Sequence, residues 1–326
     1  MTQSAPLPKI TYARVWALAW PMIIAGSSTP LLGLIDTAII GQIGQAAPLG
    51  AIAVGTIIFN FIFWSLGFLR MGTTGLTAQA YGQGDEDEVQ AHLSRAALVG
   101  LIIGVVILIF QIPIGWLAFE LFNTEGQVES LAQTYYAIRI WGAPATLITY
   151  GYMGWFIGIQ RTRWSLALQI WLNGINIVLD VFFVMGLGWG VEGVAIGTLI
   201  AEWSTAFVGL LFVLRLTRMR TGRAFSVHRT RLANTAMLKR MLAVNGDIFI
   251  RTLCLLIAFS FFIAQSAQQG EIVLAANYIL LQLVTTAAFF LDGFAIAAES
   301  LVGSAIGSRS RKQLDDSVRL STQIAG

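Results

Sequence analysis

The chain has 326 residues, of which 56% are hydrophobic and only 11% charged, with a formal net charge of +3. Together with a mean hydropathy of +0.73, this excludes an ordinary soluble domain, in which roughly 25% of residues are charged, and identifies an integral membrane protein. The single cysteine, Cys254, excludes an intrachain disulfide.

Apolar stretches of about 20 residues or more, enough to cross ~30 Å of hydrocarbon, recur along the chain. The first covers about 14–41. It is longer than a signal-peptide core of roughly 7–15 residues and carries no clear cleavage pattern, so it reads as a retained span. Others follow at about 49–80, 95–119, 130–158, 165–187, 192–216, 239–266 and 273–306, with a ninth beginning near 314. They far exceed the ~10 residues of a barrel strand and show no period-two alternation, which predicts helices. The expected fold class is an all-α polytopic membrane protein of eight or nine transmembrane helices, with no separate soluble domain.

The basic residues predict the orientation. Arg161 and Arg163 join spans four and five, eight Lys and Arg residues crowd 215–240, and Arg309, Arg311 and Lys312 follow span eight. The connections near 42–48, 120–129, 188–191 and 267–272 carry none. The amino terminus and the basic connections are therefore expected in the cytoplasm. Placed between two spans, the basic stretch reads as a topology signal rather than a nucleic-acid surface.

An internal repeat organises the chain. The segment from Leu49 can be laid over the segment from Leu274, which brings Gly67-Phe68 onto Gly293-Phe294 and Gly82 onto Gly307; LAWP at 18–21 meets LAVN at 242–245. The period is about 225 residues, so a complete copy holds six spans and the two copies share one orientation, related by an axis along the membrane normal. This predicts an amino-terminal lobe over 1–215, a basic linker over 216–238 and a second lobe over 239–326 holding helices seven, eight and the start of nine. The second copy is expected to be incomplete in this chain.

Polar residues inside the spans are the functional candidates, because an ionisable group at bilayer depth is costly. Asp36 lies in span one. Asn173, Asn176 and Asp180 of span five, spaced i, i+3, i+7, share one helical face, and span six carries Thr198 and Glu202 at i, i+4. Counting from the outer ends at ~1.5 Å per residue puts Asp36, Asp180 and Thr198 about 8–11 Å below the outer surface, where they can meet in one cavity. Two carboxylates there disfavour simultaneous ionisation, which suits a proton site; with the Asn and Thr oxygens the same set suits a dehydrated Na⁺. The plainer alternative is a pair of aspartates bonded to backbone freed by Pro21 or Pro30. Asp247, Arg251, Asp292 and Glu299 lie within the later spans, where they line a cavity or pair with Arg251. Arg70 and Arg139 are ambiguous, since an arginine can snorkel or bind a carbonyl.

The acidic run DEDE at 85–88 raises a different class, prenyl transfer through metal-bound diphosphate, but that chemistry needs a second carboxylate cluster, and Asp315-Asp316 is too feeble. Acidic side chains equally suit the first turn of a helix. GLGWG at 186–190 joins two membrane helices and is not a nucleotide fingerprint. Gly100/Gly104, Gly154/Gly158 and Gly193/Gly197 are expected at close helix contacts. No enzyme is therefore expected, and His92 and His228 stand apart, so no metal site is indicated by them.

Taken together, LAWP, PLLGLIDTAIIG, FLRMGTTGLTAQAYG, NIVLDVFFVMG, VEGVAIGTLIAEW and LDGFAIAAES resemble the multidrug and toxic compound extrusion (MATE) family, most of all its DNA-damage-inducible protein F branch, over residues 14–310. The resemblance implies two six-helix lobes around a central cavity and export of cationic or amphipathic compounds driven by inward movement of H⁺ or Na⁺. It implies an amino-terminal cation site of Asp36, Asn176, Asp180 and Thr198, a span-four tyrosine assigned to Tyr135 beside Tyr136, and a bend at Pro21. The function expected is a cation-coupled antiporter of the bacterial cytoplasmic membrane. The alternatives are a lipid-linked-precursor flippase of the same superfamily, which should carry more cavity arginines, and a non-transporting fragment. The expected partners are small cationic or amphipathic molecules and the lipid bilayer, not nucleic acid, with the chain acting as a monomer; no cofactor is expected beyond H⁺ or Na⁺ as coupling ion.

Overall fold

The computed structural model describes residues 9–41, 46–122, 126–226, 229–232 and 234–325, leaving aside the side chains of 29–34, 36–37, 122, 229–230, 238, 242, 267, 271, 274–275 and 278. Every regular element among these residues is a helix. Span one is α1 (Tyr12–Gly41), which runs unbroken through Pro21. Spans two, three and four are each divided: α2 (Ala46–Ser65) and α3 (Phe68–Gln83), α4 (Glu86–Ile109) and α5 (Gln111–Phe122), α6 (Gly126–Arg139) and α7 (Ala143–Gly158) across a 3₁₀ turn at 140–142. Then come α8 (Thr162–Asp180) with a π-helical turn over Val181–Gly186, α9 (Gly190–Thr221), the short α10 (Arg229–Leu232), α11 (Thr235–Gln268), α12 (Glu271–Gly307) and α13 (Arg311–Ala325).

Among the described residues six helical segments are long and apolar enough to cross a membrane: 46–83, 86–109, 162–186, 190–221, 235–266 and 279–307. The stretch expected to open a ninth span is α13, which carries Arg311, Lys312, Asp315, Asp316 and Arg319 within 15 residues. As far as it is described, it is an amphipathic helix. It lays Leu320 against Val15, Leu18, Ala297 and Leu301, and Tyr12 Oη donates to Gln323 Oε1 at 2.6 Å.

Small residues set the packing. A side chain at Gly100 or Gly104 of α4 would run into the backbone of Leu147 or Pro144 on α7, and one at Gly154 or Gly158 of α7 into the backbone of α3. Backbones that approach so closely gain dispersion contacts, which must hold helices together where lipid is as apolar as the helix surface. The α3–α12 contact repeats itself. A Cβ on Gly82 would strike the Ser304 carbonyl, and one on Gly307 would strike the Gln79 carbonyl. Under the offset of about 225 residues that relates the two segments, Gly82 becomes Gly307 and Gln79 becomes Ser304, so each contact is the image of the other, as at a two-fold interface.

The DEDE run opens α4. Gly84 (φ +73°) closes α3 by donating to the Ala80 and Tyr81 carbonyls, and the Asp85 side chain caps α4 by accepting from Glu88 N at 3.0 Å. Glu86, Asp87 and Glu88 then occupy the first turn, where the helix dipole favours negative charge. The basic connection folds onto this acidic end. Arg231 Nη1 donates to both Asp85 oxygens at 2.9 Å, Arg220 pairs with Glu86 at 2.6 Å, and Ser226 N donates to Gln90 Oε1 at 2.9 Å. The hydrogen bonds it donates to Asp85, added to the charges of Asp85, Asp87 and Glu88, raise the Arg231 pKa further. Beneath them Arg95, 1% exposed, pairs with Glu88 at 2.7 Å and donates to the Arg231 carbonyl.

Candidate functional site

The polar face of α8 is buried as its spacing predicts: Asn173, Asn176 and Asp180 all point into the protein, and Asp180 is 0% exposed. Asp180 is the last residue of regular α-helix before the π-turn at Val181–Gly186. Such a widened turn shifts the register of the backbone bonds and recurs at functional positions in helices. Ile39 and Ile40 of α1 join Val184 of this turn and Val191 and Val194 of α9 in one apolar cluster.

Opposite α8, the Thr198 hydroxyl donates to its own helix at the Val194 carbonyl (2.9 Å) and accepts from Asn176 Nδ2 at 3.2 Å. With the amide committed that way, Asn176 Oδ1 has no hydrogen-bond partner among the described residues. Gly197 makes room for the carboxylate: a Cβ there would collide with Asp180 Oδ1. Asp180, Asn176 and Thr198 thus bring hard oxygen atoms to one buried place between α8 and α9, a donor set suited to a proton or a small cation.

Asn173, grouped with them by spacing, is used differently. Its Nδ2 donates to Ser28 Oγ of α1 at 2.9 Å and its Oδ1 accepts from Gln169 at 3.0 Å, while Ser28 donates to the Ala25 carbonyl. This bond sets the register between α1 and α8. Asp36 is eight residues beyond Ser28, about 12 Å along the axis, and Asp180 seven beyond Asn173, about 10.5 Å. Because α1 also reaches the π-turn that follows Asp180, the backbone of Asp36 comes to the level of Asp180. The Asp36 side chain lies outside the described residues.

Tyr135 and Glu202 belong to a second buried group, centred on Arg139. Arg139 Nη1 donates to Tyr135 Oη at 2.9 Å, and its Nη2 lies 3.8 Å from Glu202 Oε1. The two adjacent tyrosines diverge here, since Tyr136 Oη donates instead to the Gln111 carbonyl at 2.9 Å. Tyr136 also borders a surface cavity of about 500 Å³ with Gln111, Glu120 and Glu129, and none of the site residues lines it.

The later spans contribute less than expected. Asp292 and Asp247 are exposed, and Glu299 is half-buried above Gly75 of α3. Arg251 pairs with neither Asp292 nor Glu299 and reaches Met71 Sδ at 3.8 Å. Arg251 nevertheless faces Glu299 electrostatically. Ser28, Gln169 and Gly142, which abuts the Glu202 carboxylate, were not singled out in the sequence; a small polar residue in an otherwise apolar span was the available signal for Ser28, and none marked the other two. Gly197, expected at a close helix contact, is the one that faces the Asp180 carboxylate.

The MatE family profile matches residues 21–182. DNA damage-inducible protein F of Escherichia coli (strain K12) is 39% identical over 312 residues, spanning 96% of this chain and 67% of that protein. The probable multidrug resistance protein NorM of Pasteurella multocida is 25% identical over 92% of this chain and 65% of its own length. Protein DETOXIFICATION 44 of Arabidopsis thaliana, a chloroplastic protein, is 26% identical over 92% of this chain and 58% of its own length. The chain therefore spans about three fifths to two thirds of these relatives. Its fold matches an outward-facing multidrug resistance MATE transporter of the MOP superfamily with a TM-score of 0.85 at 23% identity, over 96% of this chain and 69% of that one. It matches a MATE crystal structure in the bent conformation with a TM-score of 0.84 at 23% identity, over 97% of this chain and 72% of that one. The family comprises multi-pass membrane transporters and not enzymes. With a relative 39% identical over 96% of this chain and two thirds of its own length, and with the same helical fold, the chain belongs to the MatE family of multidrug and toxic compound extrusion transporters.

Proposed function

We propose that this chain works as a cation-coupled antiporter that exports cationic or amphipathic small molecules across the bacterial cytoplasmic membrane, with its amino terminus in the cytoplasm. The observation that carries the reading is Asp180: a carboxylate fully removed from solvent among apolar helices, beside Asn176 and Thr198, at the level where α1 carries Asp36. Leaving water is expensive for an ionised carboxylate, so such a group suits a site that gains and loses a cation. In the proposed cycle a proton or Na⁺ enters this site from outside, substrate leaves the cavity between the two lobes, and each ligand favours one of two conformations. Differential binding then couples the two movements without requiring that they touch. The names of the DNA damage-inducible and multidrug resistance relatives support a bacterial setting and drug-like substrates.

The test is efflux of a fluorescent organic cation from vesicles containing the protein, for wild type, Asp36→Asn and Asp180→Asn. Loss of gradient-driven efflux in both variants is the expected result; undiminished efflux in both would remove the site. Replacing an imposed pH gradient by a Na⁺ gradient then identifies the coupling ion.

A further inference from the structure

The cavity beside Tyr136 holds none of the ion-site residues and has a build of its own. It lies between α5 and α6, consecutive helices joined by three residues and therefore antiparallel. Pro113 has no N–H to donate to the Ile109 carbonyl, and span three breaks at Phe110, which makes α5 a separate helix beside α6. Each helix turns one stripe to the cavity: Ile112, Trp116 and Glu120 at i, i+4, i+8 on α5, and Glu129, Gln133 and Ala137 at the same spacing on α6. Running away from their connection in opposite senses of the chain, the stripes are in register. Glu120 and Glu129 stand at the mouth, Trp116 and Gln133 about 6 Å further in, and Ile112 and Ala137 about 12 Å in.

The deep wall is held firmly. Tyr136 Oη donates to the Gln111 carbonyl at 2.9 Å, and Gly115 lets the Tyr136 ring close against α5, since a Cβ there would meet the ring. Phe119 packs edge-on against that ring at 5.9 Å. At the mouth Gln133 Nε2 donates to Glu129 Oε1 at 2.9 Å and holds the carboxylate in place. The volume of about 500 Å³ falls within the roughly 300–1,000 Å³ of small-molecule pockets.

Polarity is graded along the groove. Two carboxylates at one rim attract a cation, and among the described residues no Lys or Arg lines the cavity to supply it; the connection over 120–129 carries none either. Trp116, 67% exposed, adds an indole ring, the aromatic surface most attractive to an organic cation. Further in, the walls are aliphatic and aromatic. A phospholipid suits this arrangement poorly, because its phosphate would meet two carboxylates and no basic side chain. An organic cation with an apolar body matches both ends.

We propose that the α5–α6 groove is a binding site for an amphipathic organic cation, with the charged head between Glu120 and Glu129 and the apolar body along Trp116 and against Tyr136. It is separate from the ion site and does not rest on it.

The experiment is photolabelling of the purified protein in neutral detergent with a dodecyltrimethylammonium that carries a diazirine on its chain, the labelled peptides being mapped by mass spectrometry. The matched dodecyl sulfate diazirine is the control. In wild type the cation should label the 111–137 region saturably, and the sulfate roughly tenfold less. Glu120→Gln/Glu129→Gln should raise the half-saturating cation concentration roughly tenfold and bring the two probes together, and Trp116→Leu should weaken labelling by the cation alone. Equal labelling of wild type by both probes overturns the proposal, as does unchanged labelling in a double variant that melts as wild type does. Should that variant fail to fold, the comparison of the two probes on wild type decides. Labelling should be the same in phosphatidylcholine and phosphatidylethanolamine vesicles; its loss in the second would show a phospholipid in the groove and overturn the proposal. Asp180→Asn should leave labelling intact while it abolishes efflux, so the failure of one reading does not carry the other with it.

Discussion

Asn176 donates to Thr198 at 3.2 Å, and Thr198 accepts because its own proton is already committed to the Val194 carbonyl. The direction of this one bond decides which atoms remain for chemistry. The Thr198 hydroxyl is used on both sides, and the Asn176 carbonyl oxygen is left beside the α8–α9 seam where Asp180 is buried.

Thr198→Val therefore removes the acceptor of the Asn176 amide together with the hydroxyl's own bond to the Val194 carbonyl. The Asn176 amide is left without that partner in a buried position, which costs about 1–3 kcal/mol. Thr198→Ser keeps the acceptor and should behave as wild type. The measurements are the melting temperature and gradient-driven efflux of each variant; a loss in Ser with none in Val would show that the methyl group, not the hydroxyl, matters.

Gly197→Ala tests the space beside Asp180. Its Cβ would collide with Asp180 Oδ1, so the carboxylate must turn away from the site and efflux should fall at least about tenfold. Gly174→Ala on α8 is the control, since nothing lies within 4 Å of a Cβ there. It should leave efflux intact and raise stability by up to about 1 kcal/mol through helix propensity.

The all-helical membrane class was legible in the sequence because apolar runs of membrane length leave few alternatives, although six segments among the described residues, not eight or nine, are long and apolar enough to cross; the polar face of α8 was legible because i, i+3 and i+7 fall on one side of a helix. That periodicity groups residues around the axis but not along it. Asn173 and Asp180 are about 10 Å apart on the axis, so they meet different neighbours, and Asn173 turns to Ser28. The π-turn after Asp180 was hidden for a related reason: VFFVMG reads as ordinary apolar helix, and only packing against α1 and α9 shows where the extra residue sits. Arg139 was ambiguous because snorkelling and pairing need the same long side chain, and the choice depends on where Glu202 stands.

The acidic end of α4 and the basic connection offer a contrast between two arginines. Arg231 is about a third exposed, and its bonds to Asp85 are screened by water; Arg231→Met should cost at most about 1 kcal/mol and expose the 215–240 connection to trypsin more readily in high salt. Arg95 is buried against Glu88. Arg95→Met takes from Glu88 its buried partner and leaves it Arg231 at 3.4 Å, so it should cost more than Arg231→Met, up to about 3 kcal/mol, read as a drop in melting temperature. Glu88→Gln in the Arg95→Met background should recover part of that loss, because the carboxylate has lost its shortest ion pair.

The mirrored contacts of Gly82 and Gly307 predict a matched pair of effects. Each glycine faces a backbone carbonyl of the other helix, Ser304 for Gly82 and Gln79 for Gly307. A carbonyl within a helix cannot rotate away as a side-chain end can, so a methyl group must push α3 and α12 apart. Gly82→Ala and Gly307→Ala should each cost about 1–3 kcal/mol. They should also be coupled: once one methyl has separated the helices, the second meets less resistance, and the double variant should lose less than the two single losses combined. Thermal unfolding of the three variants in detergent measures this. Strict additivity would mean that the two contacts yield independently and that α3 and α12 do not move as a pair of rigid rods.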